Sequence, residues 1–212
     1  MRITGWLAIG AGVTFFAADV YLFAVLGAAG WNIDMFDDPT ALLPWLAGHQ
    51  RLYQGLWLMY FVSQALLLVV PWRLGEQLND RATGLLGTVS VALAIVGVAM
   101  FLAAAPVVAD AYAGGVDVLP LHNVTADFGK DLRLLSEVLL GAWLLLVGRR
   151  LAATSGRRGW WALAAIGGWT LLVAAWKLLD PELPLEDWLA FLLGGAYVVL
   201  GFALIRSARP RP

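Results

Sequence analysis

The sequence predicts an all-α, polytopic membrane bundle: six transmembrane helices in one domain over residues 1–212, with both termini cytoplasmic. Three observations predict it. The chain is 61% hydrophobic and only 14% charged, whereas a soluble domain carries about 25% charged residues and roughly half apolar ones. Six segments are long and apolar enough to cross a bilayer, which takes about 20 residues at 1.5 Å each. Ten of the 14 basic residues also lie on one side of the connections between those segments.

The six spans are 4–29, 52–72, 84–107, 132–148, 159–178 and 187–205. The first has an apolar run far longer than the 7–15 residues of a signal-peptide core, so it is read as a span. The fourth is the shortest and the most polar at its start. Arg2, Arg73, Arg81, Arg149, Arg150, Arg157, Arg158, Arg206, Arg209 and Arg211 fall at the termini and the even-to-odd connections, with only Glu76 and Asp80 among them. The other side collects Asp34, Asp37, Asp38, Asp110, Asp117, Asp127, Asp131, Glu137, Asp180, Glu182, Glu186 and Asp187. The positive-inside rule then places both termini in the cytoplasm. The arginine-rich, lysine-poor inner face and alanine-rich spans suit the cytoplasmic (inner) membrane of a bacterium.

Trp31, Trp45, Trp72, Trp160, Trp161 and Trp188 fall near span ends, where amphipathic rings favour the headgroup layer. Gly10, Gly12, Gly84, Gly87, Gly141, Gly167, Gly168, Gly194 and Gly195 are expected to let helix backbones approach closely. Inner connections are short. Two outer ones are long, 30–51 and 108–131, and long ordered loops are more often functional. In the first, Asp38 is placed to cap and Pro39 to open a short helix. Its apolar residues would lie in the interface, and Pro44 would bend or end it.

Charge inside a span costs ~3 kcal/mol and marks a functional candidate. Asp19 lies deep in the first span, Glu137 and Arg133 share one face of the fourth, and Lys177 is near the outer end of the fifth. All map to the outer half of the bilayer. Asp19 is expected to pair with Arg133 or Lys177, and Glu137 with the other, because attraction strengthens where water is scarce. These four residues form either an ionic latch or the floor of an outward-facing pocket. Ser63 and Gln64 are expected to bond across to a neighbouring helix.

The two histidines, His49 and His122, both fall on the outer side; with Asp127 they are the candidate set for a divalent metal. No HExxH spacing accompanies them, and interfacial hydrogen bonding is the competing role. Neither lies inside a span as a bis-histidine haem requires. With no cysteine, disulfides, thiolate metal sites and thiol-dependent membrane quinone reductases are excluded. A net charge of −1 gives no footprint for nucleic acid. Nucleophile elbows and phosphate-binding glycine loops are absent from the sequence.

The stretch Leu132-Arg133-Leu134-Leu135-Ser136-Glu137-Val138-Leu139-Leu140-Gly141-Ala142-Trp143, continuing to Gly148-Arg149, is similar to a small-residue, Trp-Leu, Gly-basic pattern of uncharacterised bacterial six-helix membrane proteins. Arg51-Leu52-Tyr53-Gln54-Gly55-Leu56-Trp57-Leu58 shares that likeness, which implies no activity or ligand. The general plan also resembles the substrate-binding components of energy-coupling-factor vitamin transporters, implying a ligand site under outer loops. The chain departs from their first-helix alanine motif, since Ala8 and Ala11 have a different spacing.

Three functions follow as expectations. One is a small or lipid-like ligand held in an outward-facing polar pocket, for transport or sensing. Another is an accessory subunit of a larger membrane complex, with protein and lipid partners. The third is a metal-dependent enzyme acting on lipid or quinone at the outer interface, with a His-activated water.

Overall fold

The computed structural model describes residues 2–36, 38–155, 159–179 and 186–207, and they are almost wholly helical with no strand among them. Helix α1 (Arg2–Tyr21) continues through a π-helical turn (Leu22–Leu26), and a single 3-10 turn (Ile33–Phe36) leads to α2 (Pro39–Leu67). There follow α3 (Val69–Gln77), α4 (Arg81–Ala113), α5 (Leu119–Ser155), α6 (Gly159–Leu179) and α7 (Glu186–Ser207). Among the described residues four stretches are long and apolar enough to cross a membrane: Arg2–Leu26, Pro39–Gln77, Arg81–Ala113 and Gly159–Lys177, while Leu192–Arg206 is apolar but shorter. The outward face of α1 shows why lipid suits this surface better than water. Ile3, Trp6, Val13, Phe16, Val20 and Phe23 recur at helical spacing and are all exposed.

The helices pack side by side in the order α7, α1, α2, α4, α5, α6, with α3 folded against α4. Antiparallel neighbours gather Asp34, Asp38, Asp110, Asp117, Asp127 and Asp131 at one end of the bundle, the acidic end. Arg2, Arg73, Arg81, Arg149, Arg150 and Arg206 lie at the other. Glycines set the closeness of several pairs. A Cβ on Gly12 would stand 2.6 Å from the carbonyl oxygen of Gly194, and one on Gly75 would stand 2.5 Å from the Cα of Gly84. Gly168 and Gly195 differ from expectation, because open space lies beside each.

At the acidic end the sequence was only partly legible. Asp38 caps α2 through the amides of Thr40 and Ala41, and Pro39 opens the helix. The helix nevertheless runs through Pro44 and bends at His49, whose φ of −130° and ψ of 22° leave the helical region. There the His49 ring stacks on Trp45, and its Nδ1 lies 2.9 Å from the Trp45 carbonyl. A carbonyl only accepts, so Nδ1 carries the proton. Leu42, Leu43, Trp45 and Leu46 do not lie in an interface; they are buried against Leu22, Leu26, Trp31 and Val108. Trp31, Trp45 and Trp160 are likewise buried, whereas Trp72 and Trp161 are exposed; the Trp188 side chain lies outside the described residues.

The expected loop 108–131 is a helical hairpin instead. Helix α4 runs on to Ala113, a turn with positive φ at Gly115 follows, and Asp117 accepts from the Leu119 amide where α5 begins. The polar residues that suggested a loop wind around α5. His122, Thr125, Ala126 and Gly129 turn inward while Asn123, Val124, Asp127 and Phe128 face out. With 37 residues, α5 is about 55 Å long, nearly twice the hydrocarbon thickness.

A polar clasp closes the arginine-rich end. Asp80 caps α4 by accepting from the side chain and amide of Thr83, and Arg150 of α5 approaches it at 2.7 Å. The Thr83 hydroxyl first, then its amide, with Arg150 adding attraction, hold the Asp80 carboxyl below its ordinary value of 3.8. A carboxyl depressed on folding stabilises the fold above its unfolded value, and that contribution disappears as pH falls through the folded one. The thermal midpoint should therefore fall between about pH 6 and about pH 2 by more in the parent than in Asp80→Asn. Equal losses would show that the clasp contributes nothing.

Candidate functional site

The buried apolar residues form two clusters. One, toward the arginine-rich end, includes Leu67, Leu144, Val147, Leu163 and Leu200; the other, toward the acidic end, includes Leu26, Leu42, Leu56, Val108 and Val118. Between them lies a polar layer around a cavity of about 60 Å³. Five helices line it: Phe15 comes from α1, Trp57, Tyr60 and Gln64 from α2, and Ser90, Ala94 and Val98 from α4. Arg133, Ser136, Glu137 and Leu140 come from α5, and Leu193 and Tyr197 from α7. A water needs about 10–15 Å³ by this measure, so the space suits a few waters or a solute of a few heavy atoms.

Each polar side chain has a local reason for its place. Asp19, only 2% exposed, accepts a 2.6 Å hydrogen bond from the hydroxyl of Tyr60, a residue that lines the cavity. Asp19 thus belongs to the site one bond behind its wall. On α5, Arg133 and Glu137 are one turn apart and 3.8 Å from each other, too long for a tight ion pair. The Arg133 guanidinium lies 5.9 Å from the centre of the Trp57 ring, whose other face stacks on Phe101. Ser90 donates to the Ser136 carbonyl and fixes α4 against α5; Ser63 donates to the Ala11 carbonyl and fixes α2 against α1. The Tyr197 hydroxyl is fully buried beside Gln64 and makes no hydrogen bond of good geometry among the described residues.

Sequence reading placed Asp19, Arg133, Glu137 and Lys177 together. Arg133 and Glu137 do share the cavity wall, and Asp19 adjoins it through Tyr60. Lys177 is buried near the acidic end of α6, a helix that contributes nothing to the lining. Tyr60 and Tyr197 were missed. Tyrosine in a span reads as an ordinary membrane residue, although a hydroxyl far from the span ends needs a partner there and could have drawn notice.

The histidines lie apart from this layer. His122 borders a second, apolar cavity of about 20 Å³ with Leu46, Tyr53, Phe101 and Val108. Burial first, then the nearby Lys130, push its titration below the ordinary value, against a smaller opposing pull from Asp127. Among the described residues no group of three or more His, Asp and Glu side chains is placed to hold a metal. The expected gathering of His49, His122 and Asp127 is therefore not seen; His49 is turned instead onto Trp45.

No protein-family model matches the chain, and no curated protein or solved structure matches it significantly.

Proposed function

We propose that the chain is a six-span protein of a bacterial cytoplasmic membrane, both termini inside, whose central cavity binds a small polar ligand for transport or sensing. The observation that carries this reading is the convergence of polar side chains from separate helices on one space between two apolar clusters. Intramembrane polar groups cost stability and face an interior or a pathway. Glu137 lies in the wall of the cavity, and Asp19 stands behind that wall on Tyr60. The six-span topology is supported by the segregation of arginines and acids to opposite ends and by the antiparallel order of the helices. The cavity's volume favours a compact solute over a lipid, because drug-sized pockets run to about 300 Å³ or more.

Ala94 lines the cavity, and Ala94→Phe would fill it. Native mass spectrometry of protein extracted in mild detergent should show a small molecule at fixed stoichiometry in the parent and not in Ala94→Phe. Identical spectra with no retained species would refute the reading.

The accessory-subunit reading has one observation in its favour. On α6, Trp161, Trp169, Leu172 and Trp176 form an exposed stripe, and Trp169 is 46% exposed halfway along the helix, far from the headgroup depth that tryptophan prefers. A defined partner subunit retained in the same spectra would select this reading.

A further inference from the structure

We infer that the two cavities are successive segments of one path from the acidic end to the central cavity, closed where the Phe101 ring meets Trp57. The inference rests on the central cavity being a ligand site and adds how a solute reaches it. Three helices line both spaces. On α4, Ala94 and Val98 border the central cavity, and Phe101, Ala105 and Val108 border the apolar one. These residues are three and four apart, so they form one stripe along the helix. On α5, Leu140, Ser136 and Arg133 border the central cavity and Ala126 and His122 the apolar one, with Gly129 between them at the same spacing. On α2, Tyr60 and Trp57 belong to the central cavity and Tyr53, one turn on, to the apolar one. The two spaces thus lie along a single seam between the same faces of the same helices.

Phe101 interrupts that seam by reaching from α4 to both other helices. Its ring stacks on Trp57 of α2, with centroids 4.3 Å apart and planes 10° apart. On α5, a Cβ at Gly129 would stand 2.6 Å from the Phe101 Cε2, so the ring is seated on bare backbone there. An apolar constriction of this kind closes a path by excluding water. The closure can also move. Phenylalanine has no polar atom to anchor it, and the buried Trp57 indole N–H makes no hydrogen bond of good geometry among the described residues. Pro106, just past Phe101 in α4, has no N–H to give the Leu102 carbonyl, which weakens the helix beside the ring. Swinging the ring aside therefore breaks no hydrogen bond and gives up only stacking and packing contacts.

The chain has no cysteine, so a single introduced thiol reports access without background. Ala94→Cys places it in the central cavity and Ala105→Cys in the apolar one, on opposite sides of Phe101. Each full-length variant is treated with methyl methanethiosulfonate in mild detergent, and its labelling rate is divided by the rate of the same variant unfolded in denaturant. With Phe101 in place, Ala94→Cys should react at least about tenfold more slowly than Ala105→Cys. Phe101→Ala should speed the Ala94 reporter about tenfold or more and leave the Ala105 reporter within about twofold. Should Phe101→Ala fail to fold, Phe101→Leu should give a several-fold acceleration of the Ala94 reporter alone. An Ala94 reporter as fast as the Ala105 reporter in the presence of Phe101, or one indifferent to the loss of its ring, would overturn the gate. Equal acceleration of both reporters would overturn it too, as general loosening of the bundle. The labelling uses no ligand, so a gate can be upheld or lost here whether or not the native spectra show a retained species.

Discussion

Gly141→Leu is expected to prevent the bundle from assembling, whereas Gly168→Leu, one residue beyond its packing partner Gly167, should be tolerated. A Cβ on Gly141 would stand 2.8 Å from the Leu171 amide nitrogen and 2.9 Å from the Gly167 carbonyl oxygen. Both obstacles are backbone, so no rotamer change relieves them; α5 and α6 would have to separate along their contact. Overpacking with side chains alone costs about 1–3 kcal/mol, and a backbone clash falls at or beyond the upper end. Gly168 has nothing within 4 Å of its would-be Cβ, so a leucine there meets only what surrounds the bundle. It also removes a glycine from a helix interior, worth up to about 1 kcal/mol in helix propensity. Monodisperse yield and thermal midpoint read both variants. If Gly141→Leu purified with an unchanged midpoint, α5 and α6 could not be packed as described.

That contrast also marks how far the sequence could be read. Gly141, Gly167, Gly168 and Gly195 look alike in sequence, each a small residue in an apolar run, yet only the first two sit between backbones. Which glycine faces a partner depends on helix rotation, and weakly amphipathic membrane helices leave rotation nearly unmarked. The long apolar helices were legible because lipid demands length and apolarity. The cap of α2 was legible because Asp38-Pro39 has a local mechanism. The helix of His122 to Asp131 was hidden by polarity, although His122, Ala126 and Gly129 already carry the inward spacing of a helix. Charge in the spans was conspicuous, so Asp19, Arg133 and Glu137 could be singled out, but their partners follow from tertiary packing. Arg133 met Glu137 on its own helix, and Asp19 found a tyrosine on α2.

The Asp19–Tyr60 hydrogen bond supplies the second large effect. Tyr60→Phe should destabilise the protein by about 1.5–3 kcal/mol, the range for a hydrogen bond to a charged group, because the buried Asp19 carboxylate loses the Tyr60 hydroxyl that donates to it. Asp19→Asn should cost less, since its amide oxygen still accepts from Tyr60. The informative variant is the double one. Leucine at 19 with phenylalanine at 60 removes both the charge and the donor, and an apolar pair of similar shape can replace a polar one at little cost. Asp19→Leu/Tyr60→Phe should therefore be more stable than Tyr60→Phe alone, so the two changes will not add. A double variant that is folded but no longer retains the parent's ligand would mean that the pair serves binding, kept despite its cost to the fold. A double variant that retains the ligand at full stoichiometry would confine Asp19 and Tyr60 to holding α1 against α2.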